Sequence, residues 1–375
     1  MKKSGPLVKL LGKNGKIIKK AILFNQIYKG KKVFVTGHTG FKGSWLCLWL
    51  QQLGAEVMGF SIDLPSMPAH FDLLNLKIID QRGDIRNSHL IIQAIVDFQP
   101  DIIFHLAAQP LVRLSYSEPF STFNTNVMGT INVFEAARKC KSCKAIVNIT
   151  SDKCYENKEW EKGYVETDAM GGFDPYSASK GCAELVTSSW RRSFMEQEGI
   201  LLASARAGNV IGGGDWASDR LLPDIFKSSS LGKKVKIRNP FSTRPWQHVL
   251  EPLSGYLLLG QKLLEGKNEF AEGWNFGPDE EDSKTVETVL NETKKHWSEI
   301  DFEIEKVDNQ PHEAGLLRLN INKSKQILKW NPIWHFSKTI EVTSLWYKDF
   351  YLNKINVYER SLADLNNYIA TYKKQ

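Results

Sequence analysis

The chain has 375 residues, 42% hydrophobic and 24% charged, which fits one large globular body or two closely joined domains and argues against disorder. Its net charge of +7 is concentrated at one end: residues 1–30 carry eight Lys and no acid, so the rest stands at −1, that is +7 less eight. That balance excludes a nucleic-acid-binding surface over the body, and no apolar run approaches the roughly eighteen residues of a membrane span.

Residues 1–30 read as a basic extension. Its "PLVKLLGKNGKIIKKAILF" is broken by Lys every few residues, which makes a poor export signal. A basic amphipathic helix on an acidic membrane and a disordered or over-called start are the two readings, and the second is favoured. From residue 32 short apolar strands alternate with longer helical patterns. Strands are expected at 32–37, 56–63, 100–108, 144–151 and 200–209, with a further one before "GDIRN" (83–87). Helices are expected at 41–54, 90–98, 121–139 and 176–194. This alternation predicts an α/β fold, a Rossmann-type doubly wound parallel sheet. After about residue 206, Gly, Pro, Trp and Arg become frequent and the pattern loosens, with helices expected at 251–265 and 283–296. The expected organisation is therefore a cofactor domain at 31–205, a smaller loop-rich substrate region at 206–350 interleaved with it, and a tail at 351–375. The five Cys (Cys47, Cys140, Cys143, Cys154 and Cys182) are expected as reduced thiols of a cytoplasmic enzyme. "CKSC" at 140–143 lacks the second ligand pair that a structural zinc needs, so no metal is expected.

The loop "TGHTGFKG" places Gly37, Gly40 and Gly43 between a strand and a helix. Glycines there let the backbone approach a pyrophosphate, and the helix N-terminus supplies free N–H groups and a positive dipole. Thr39, Phe41 and Lys42 fill the loop and are expected to bind the cofactor with it. Asp63 ends the next strand, 20 residues after Gly43, where a carboxylate accepts ribose hydroxyls and repels a 2′-phosphate, favouring NAD over NADP. Asp84 and Ile85 are candidates for the adenine edge, and the small residues of Leu106, Ala107 and Ala108 suit a cofactor lying flat on the backbone. Tyr176 and Lys180 stand four apart on one helix face. A nearby ammonium favours the phenolate, so the Tyr176 pKa is expected below its usual 10. Tyr176 then takes an alcohol proton while hydride leaves, and Ser151 holds the same hydroxyl. Ser151, Tyr176 and Lys180 suffice for that chemistry; Asp152 and Lys153, directly after Ser151, are additional.

The segments "GHTGFKG", "HLAAQPLVR", "TSDKCY", "YSASK", "RAGNVIGGGDW" and "RPWQHV" resemble the extended short-chain dehydrogenase/reductases, over about Lys31 to Trp346. Within them the chain is similar to the nucleotide-sugar 4,6-dehydratases, most closely the branch acting on CDP-glucose. The resemblance implies tightly held NAD and conversion of CDP-glucose to CDP-4-keto-6-deoxyglucose. It also implies a homodimer packed through helices 121–139 and 176–194, and a place in deoxysugar synthesis for bacterial surface polysaccharides such as lipopolysaccharide O-antigen. It explains the extra pair as well. Oxidation at C4 acidifies C5–H; a base then removes that proton while an acid protonates the departing C6 hydroxyl. Asp152 is assigned the acid and Lys153 the base. Relatives acting on dTDP-glucose carry Glu where Lys153 stands.

For the sugar nucleotide, Arg220, Arg238 and Arg244 are candidate pyrophosphate ligands because the guanidinium offers a planar fork of donors. Asn209 joins them, and the resemblance adds Gln109 and His312. Nothing in the residue chemistry selects cytidine. The alternatives are a dehydratase acting on UDP-N-acetylglucosamine or dTDP-glucose, a C4 epimerase, which the Asp152–Lys153 pair argues against, and an NAD-sensing scaffold, which the intact Ser151–Tyr176–Lys180 set argues against.

Overall fold

The computed structural model describes residues 9–11, 17–19, 23–217, 220–237, 240–304 and 316–373. Seven strands form the central sheet: β1 (Lys32–Thr36), β2 (Glu56–Ser61), β3 (Ile79–Arg82), β4 (Ile102–His105), β5 (Ala145–Ile149), β6 (Leu201–Ala207) and β7 (Gly273–Phe276). Their order is β3-β2-β1-β4-β5-β6-β7, and every pairing is parallel. Side chains alternate between two cores, as strand geometry demands. Val33, Val35, Ile102, Phe104, Ala145 and Val147 face one core; Phe34, Ile103 and Ile146 face the other. Strands apolar on both faces require helices on both sides.

Helix α1 (Phe41–Gln52) and helix α6 (Leu250–Leu264) cover the first face, joined by Phe336–Lys348 and Val357–Tyr372. Trp45, Leu46, Cys47, Leu48, Trp49 and Leu50 are all fully buried, so α1 is apolar all round, as a helix enclosed on every side can be. Helices α2 (Ser88–Phe98) and α3 (Gly129–Lys139) cover the other face, with Val186 and Trp190 of α4 (Pro175–Trp190) packed against it. Helix α5 (Leu221–Ser230) packs into the first core through Leu222, Ile225 and Phe226.

The structure departs from the sequence reading at three places. Strand β7 was not expected; it comes from beyond residue 206 and extends the sheet beside β6, so both sides of the expected 205/206 division build the sheet. The expected extension ran to residue 30, but Phe24 and Tyr28 are buried, and the Tyr28 hydroxyl donates to the Leu257 carbonyl at 2.6 Å. The expected tail holds the helix Val357–Tyr372, whose buried Tyr368 donates to Glu251 at 2.8 Å. Among the described residues no helix is long and apolar enough to cross a membrane.

In this strand order the chain reverses direction between β1 and β4, and a crevice opens there at the carboxyl ends of the strands. The loops after β1, β2, β4, β5 and β6 all line one cavity of about 1660 Å³ at this edge.

Candidate active site

The loop after β1 builds the cavity floor. Gly37 has φ +71°, and a Cβ on it would lie 2.7 Å from the Ala107 backbone N; the β1 and β4 loops therefore touch backbone to backbone. A Cβ on Gly43 would lie 2.1 Å from the Gly37 carbonyl, whereas one on Gly40 would meet only that same oxygen at 3.2 Å. Gly40 is the N-cap of α1 and offers no side-chain acceptor, so the first-turn N–H groups, which lack helical partners, are free for an anion. This cradle fits a pyrophosphate. His38 locks it from beneath, with Nδ1 2.8 Å from Ser61 Oγ and Nε2 2.9 Å from Asp80 Oδ1. The Thr39 hydroxyl donates to the Asp63 carbonyl at 2.7 Å, fixing the loop to the end of β2, where the Asp63 carboxylate is exposed. Asp84 pairs with Arg86 at 2.6 Å, and Ile85 beside it is buried. After β4, the Leu106 and Ala107 N–H groups both donate to Thr36 Oγ1 at 3.1 Å, so this turn is flat and small-sided up to Ala108.

Strand β5 ends at Ile149, and a single 3-10 turn, Asp152–Cys154, follows with Ser151 as its cap. Ser151 Oγ donates to Asp152 Oδ1 at 2.9 Å and accepts the Lys153 N–H at 3.2 Å. Ser151 and Asp152 are buried, and Lys153 is half-buried. Gly208 makes room for Asp152: a Cβ there would lie 3.0 Å from Asp152 Oδ2. Asp174 caps α4 by accepting the Ser177 N–H at 3.0 Å, which presents Tyr176 and, one turn on, Lys180. Tyr176 is buried, with Ser151 and Asp152 among the groups that act on its phenol.

The electrostatics correct one expectation. Burial pushes the Tyr176 phenol up to about 12, outweighing Ser151 and the Arg220 charge, which lower it. The expected depression by Lys180 is not what governs it. Burial also brings Lys180 down to about 8, against the raising influence of Cys154 and Glu184. Lys42 is brought down to about 8 by burial first, then by Arg220, with Asp152 opposing and Lys180 assisting. Lys42, expected as a cofactor-binding residue, thus also belongs to a charge cluster with Asp152, Lys180 and Arg220.

At the substrate end, Asn209, Arg220 and Arg244 line the cavity, and Arg220 lies 3.4 Å from Asp215. Arg238 and His312 lie outside the described residues. Gln109 also lines the cavity, and its side chain is held by its own loop. Its amide donates to Leu111 O at 3.1 Å and Thr122 Oγ1 at 2.9 Å and accepts the Leu111 N–H at 2.5 Å, so it shapes its own loop. Its partner Asn126 was missed. Asn126 Oδ1 accepts the Gln109 N–H at 2.8 Å, and Nδ2 donates to Ser179 Oγ at 2.9 Å, tying the β4 loop to α4. Asn126 lies in a π turn at Asn124–Met128, a local widening often found at functional sites; a buried Asn within an expected helix is the signal that marks it. Cys140 and Cys143 are buried thiols, with Sγ 3.3 Å from Ser142 Oγ and 3.7 Å from Ala145 O respectively.

Residues 34–343 match the GDP-mannose 4,6 dehydratase family. The chain is 52% identical over 328 residues to CDP-glucose 4,6-dehydratase of Salmonella typhimurium, covering 86% of this chain and 91% of that one. Among solved structures, dTDP-glucose 4,6-dehydratase of Bacillus anthracis in complex with NAD superposes with a TM-score of 0.72 at 22% identity, over 85% of this chain and 97% of that one. UDP-glucose 4-epimerase of Thermotoga maritima with UDP-glucose gives 0.75 at 20%, over 85% and 99%. These two structural likenesses speak to the fold.

Proposed function

The chain belongs to the GDP-mannose 4,6 dehydratase family, and from that premise we propose that it converts CDP-glucose to CDP-4-keto-6-deoxyglucose and water, with NAD as resident cofactor. The observation that carries this reading is the Asp152–Lys153 pair, set beside Ser151 and Tyr176 in one cavity, in a chain 52% identical to a CDP-glucose 4,6-dehydratase.

The glycine loop and the first turn of α1 hold the pyrophosphate of NAD, Asp63 its adenosine ribose, Asp84 and Ile85 its adenine edge, and Leu106–Ala108 its flat middle. NAD⁺, held there, would supply the acceptor for the hydride leaving sugar C4 and, once reduced, the donor for its return at C6. Tyr176 Oη, as the phenolate, takes the proton of the C4 hydroxyl and becomes the phenol, Ser151 Oγ orients that hydroxyl, and the Lys180 ammonium supports the phenolate form that serves as base. Lys153 Nζ, as a neutral amine, takes the C5 proton. Asp152, as a neutral acid, gives its proton to the C6 oxygen that leaves as water. Lys153 then returns a proton to C5. Asn209, Arg220 and Arg244, which line the cavity, grip the sugar nucleotide at its pyrophosphate.

The protein acts in this reading as a cytoplasmic homodimer. Phe120, 82% exposed, with Phe123, Met128 and Leu185 gives the 119–139 segment and α4 an outward apolar face, as a helix-packed dimer requires. Gel filtration of Phe120→Glu against the parent tests this; a dimeric variant refutes the interface. The function is tested by incubating purified protein and NAD with CDP-, dTDP-, UDP- and GDP-glucose. Loss of one water, fastest from CDP-glucose, is expected. Unchanged mass with inverted C4 makes the protein an epimerase, and no turnover of any sugar refutes the enzyme reading.

A further inference from the structure

Behind the cavity wall lies a buried ion pair that none of these reaction steps uses. Glu184 sits one turn beyond Lys180 on α4, and Arg206 sits on β6. Their side chains are 4% and 6% exposed, with Oε2 and Nη2 2.7 Å apart. Such a pair is not by itself a source of stability, because desolvation offsets the attraction. Its importance lies in what the two ends hold. Glu184 accepts the Thr150 hydroxyl on Oε1 and the Ser204 hydroxyl on Oε2, the latter at 2.7 Å. Arg206 Nη1 donates to the Tyr155 hydroxyl at 2.6 Å and to the Glu166 carbonyl at 3.1 Å. Tyr155 in turn donates to Asn275 Oδ1 at 2.8 Å.

Thr150 immediately precedes Ser151, and Tyr155 immediately follows the Asp152–Cys154 turn. The ion pair therefore grips the chain on both sides of Ser151, Asp152 and Lys153, while its acidic member shares a helix with Tyr176 and Lys180. Close packing reinforces the grip. A Cβ on Gly181 would lie 2.6 Å from the Gly171 carbonyl and 3.2 Å from the Cys154 carbonyl, and one on Gly273 would lie 2.5 Å from Arg206 Nη2.

We propose that Glu184 and Arg206 are positioning residues that hold the Ser151–Asp152–Lys153 turn in register with Tyr176 and Lys180, so that one rigid unit serves both the oxidation at C4 and the loss of water. This rests on the 4,6-dehydratase reading. A displacement of about 1 Å at a reacting group costs on the order of 100-fold in rate, so a brace of this kind acts on turnover and not on ground-state binding. It also has an electrostatic signature. Glu184 faces Lys180 along its own helix and Arg191 just past its end, Thr150 and Cys154 from the segment after β5, and Ser204 and Arg206 from β6; Cys154 first and then Glu184 oppose the lowering of Lys180 by burial, and Glu184 is the carboxylate of the two.

The test uses full-length protein with NAD and CDP-glucose, and begins by showing that the parent protein releases water from that sugar; failure there strikes the parent reading and not the brace. Three variants follow: Thr150→Val, which removes one hydroxyl; Arg206→Lys, which keeps the charge but not the two-armed reach; and Glu184→Met/Arg206→Met, which removes both charges together. For the double variant, kcat is expected to fall about 100-fold with KM within about twofold, and its alkaline pH limb to move to lower pH. Thr150→Val and Arg206→Lys are expected to lose kcat by about tenfold, again with KM kept. A folded variant set with parental kcat and an unmoved alkaline limb overturns the proposal, as does a loss confined to KM. If the double variant does not fold, Thr150→Val decides by the same criteria.

Discussion

Replacing Lys180 with Met is expected to stabilise the protein while abolishing its activity. Lys180 is buried, and burial brings its ammonium from 10.5 down to about 8. At 1.36 kcal/mol per decade, that fall corresponds to a cost of about 3 kcal/mol for holding the charged form in the folded state. The sign follows from proton counting. The folded pKa lies below the unfolded one, so between about 8 and 10.5 the unfolded chain binds more protons and stability rises with pH. The cost is therefore fully present below about 8 and gone by 10.5. Met keeps the stem and its packing without the charge. Unfolding entropy near 2.1 cal/mol/K per residue gives about 0.8 kcal/mol/K for a chain of this length, so about 3 kcal/mol moves the midpoint up by about 4 °C. The assay is thermal unfolding of both proteins stripped of nucleotide, because bound NAD stabilises whichever form holds it better. It is run at neutral pH and again near pH 10.5, where the two midpoints are expected to converge. A variant that melts below the parent at neutral pH, or a gap that persists undiminished at the higher pH, refutes the assignment of a desolvated ammonium to this position. Turnover by the variant is expected to fall by about 100-fold or more, the scale of a lost proton-transfer partner.

Lys153→Met is expected to keep a transient rise in reduced-nicotinamide absorbance on mixing with CDP-glucose and to lose water release by about 100-fold; loss of the transient as well removes Lys153 from the C5 step. Gly43→Ala drives a Cβ to 2.1 Å from a backbone oxygen and is expected to abolish NAD binding in a fluorescence titration. Gly40→Ala, whose Cβ meets that oxygen at 3.2 Å, is expected to weaken binding far less, and equal losses contradict the cradle. Asp63→Ser is expected to raise the NADP-to-NAD ratio of reconstituted activity by about tenfold or more, because the carboxylate that repels the 2′-phosphate is gone; an unchanged ratio places cofactor choice elsewhere. The Lys180 ammonium is expected to give the pH–rate profile a falling limb that sets in above about pH 8 as it loses its proton, and a falling limb that stays in place in Lys180→Met assigns it to another group.

What could be read in the sequence was whatever depends on near neighbours along the chain. The strand–glycine–helix spacing at Gly37, Gly40 and Gly43 dictates a local turn, and the four-residue step from Tyr176 to Lys180 dictates a shared helix face; both stand in the cavity. What could not be read depends on partners far away in sequence. Strand β7 is only the four residues Gly273–Phe276 among loops, and it becomes a strand because β6 presents an open edge for it. The sequence does not announce that Thr122 and Asn126 are brought against Gln109. Glu184 reads as an ordinary helix-surface acid, and nothing within its own helix announces Arg206 opposite. The sign of the Tyr176 shift failed for the same reason. Spacing says that a cation stands one turn away, but not how much water the phenol and the ammonium have both lost. Burial moves the two groups in opposite senses, the phenol up to about 12 and the ammonium down to about 8, and each shift opposes the charge separation that the hydride step requires. Spacing therefore names the groups that share a helix face, and burial governs the direction in which each pKa moves. For Lys180, Cys154 and then Glu184 oppose that movement, and the contribution of Glu184, a residue outside the cavity, becomes legible only when α4, β5 and β6 are packed together.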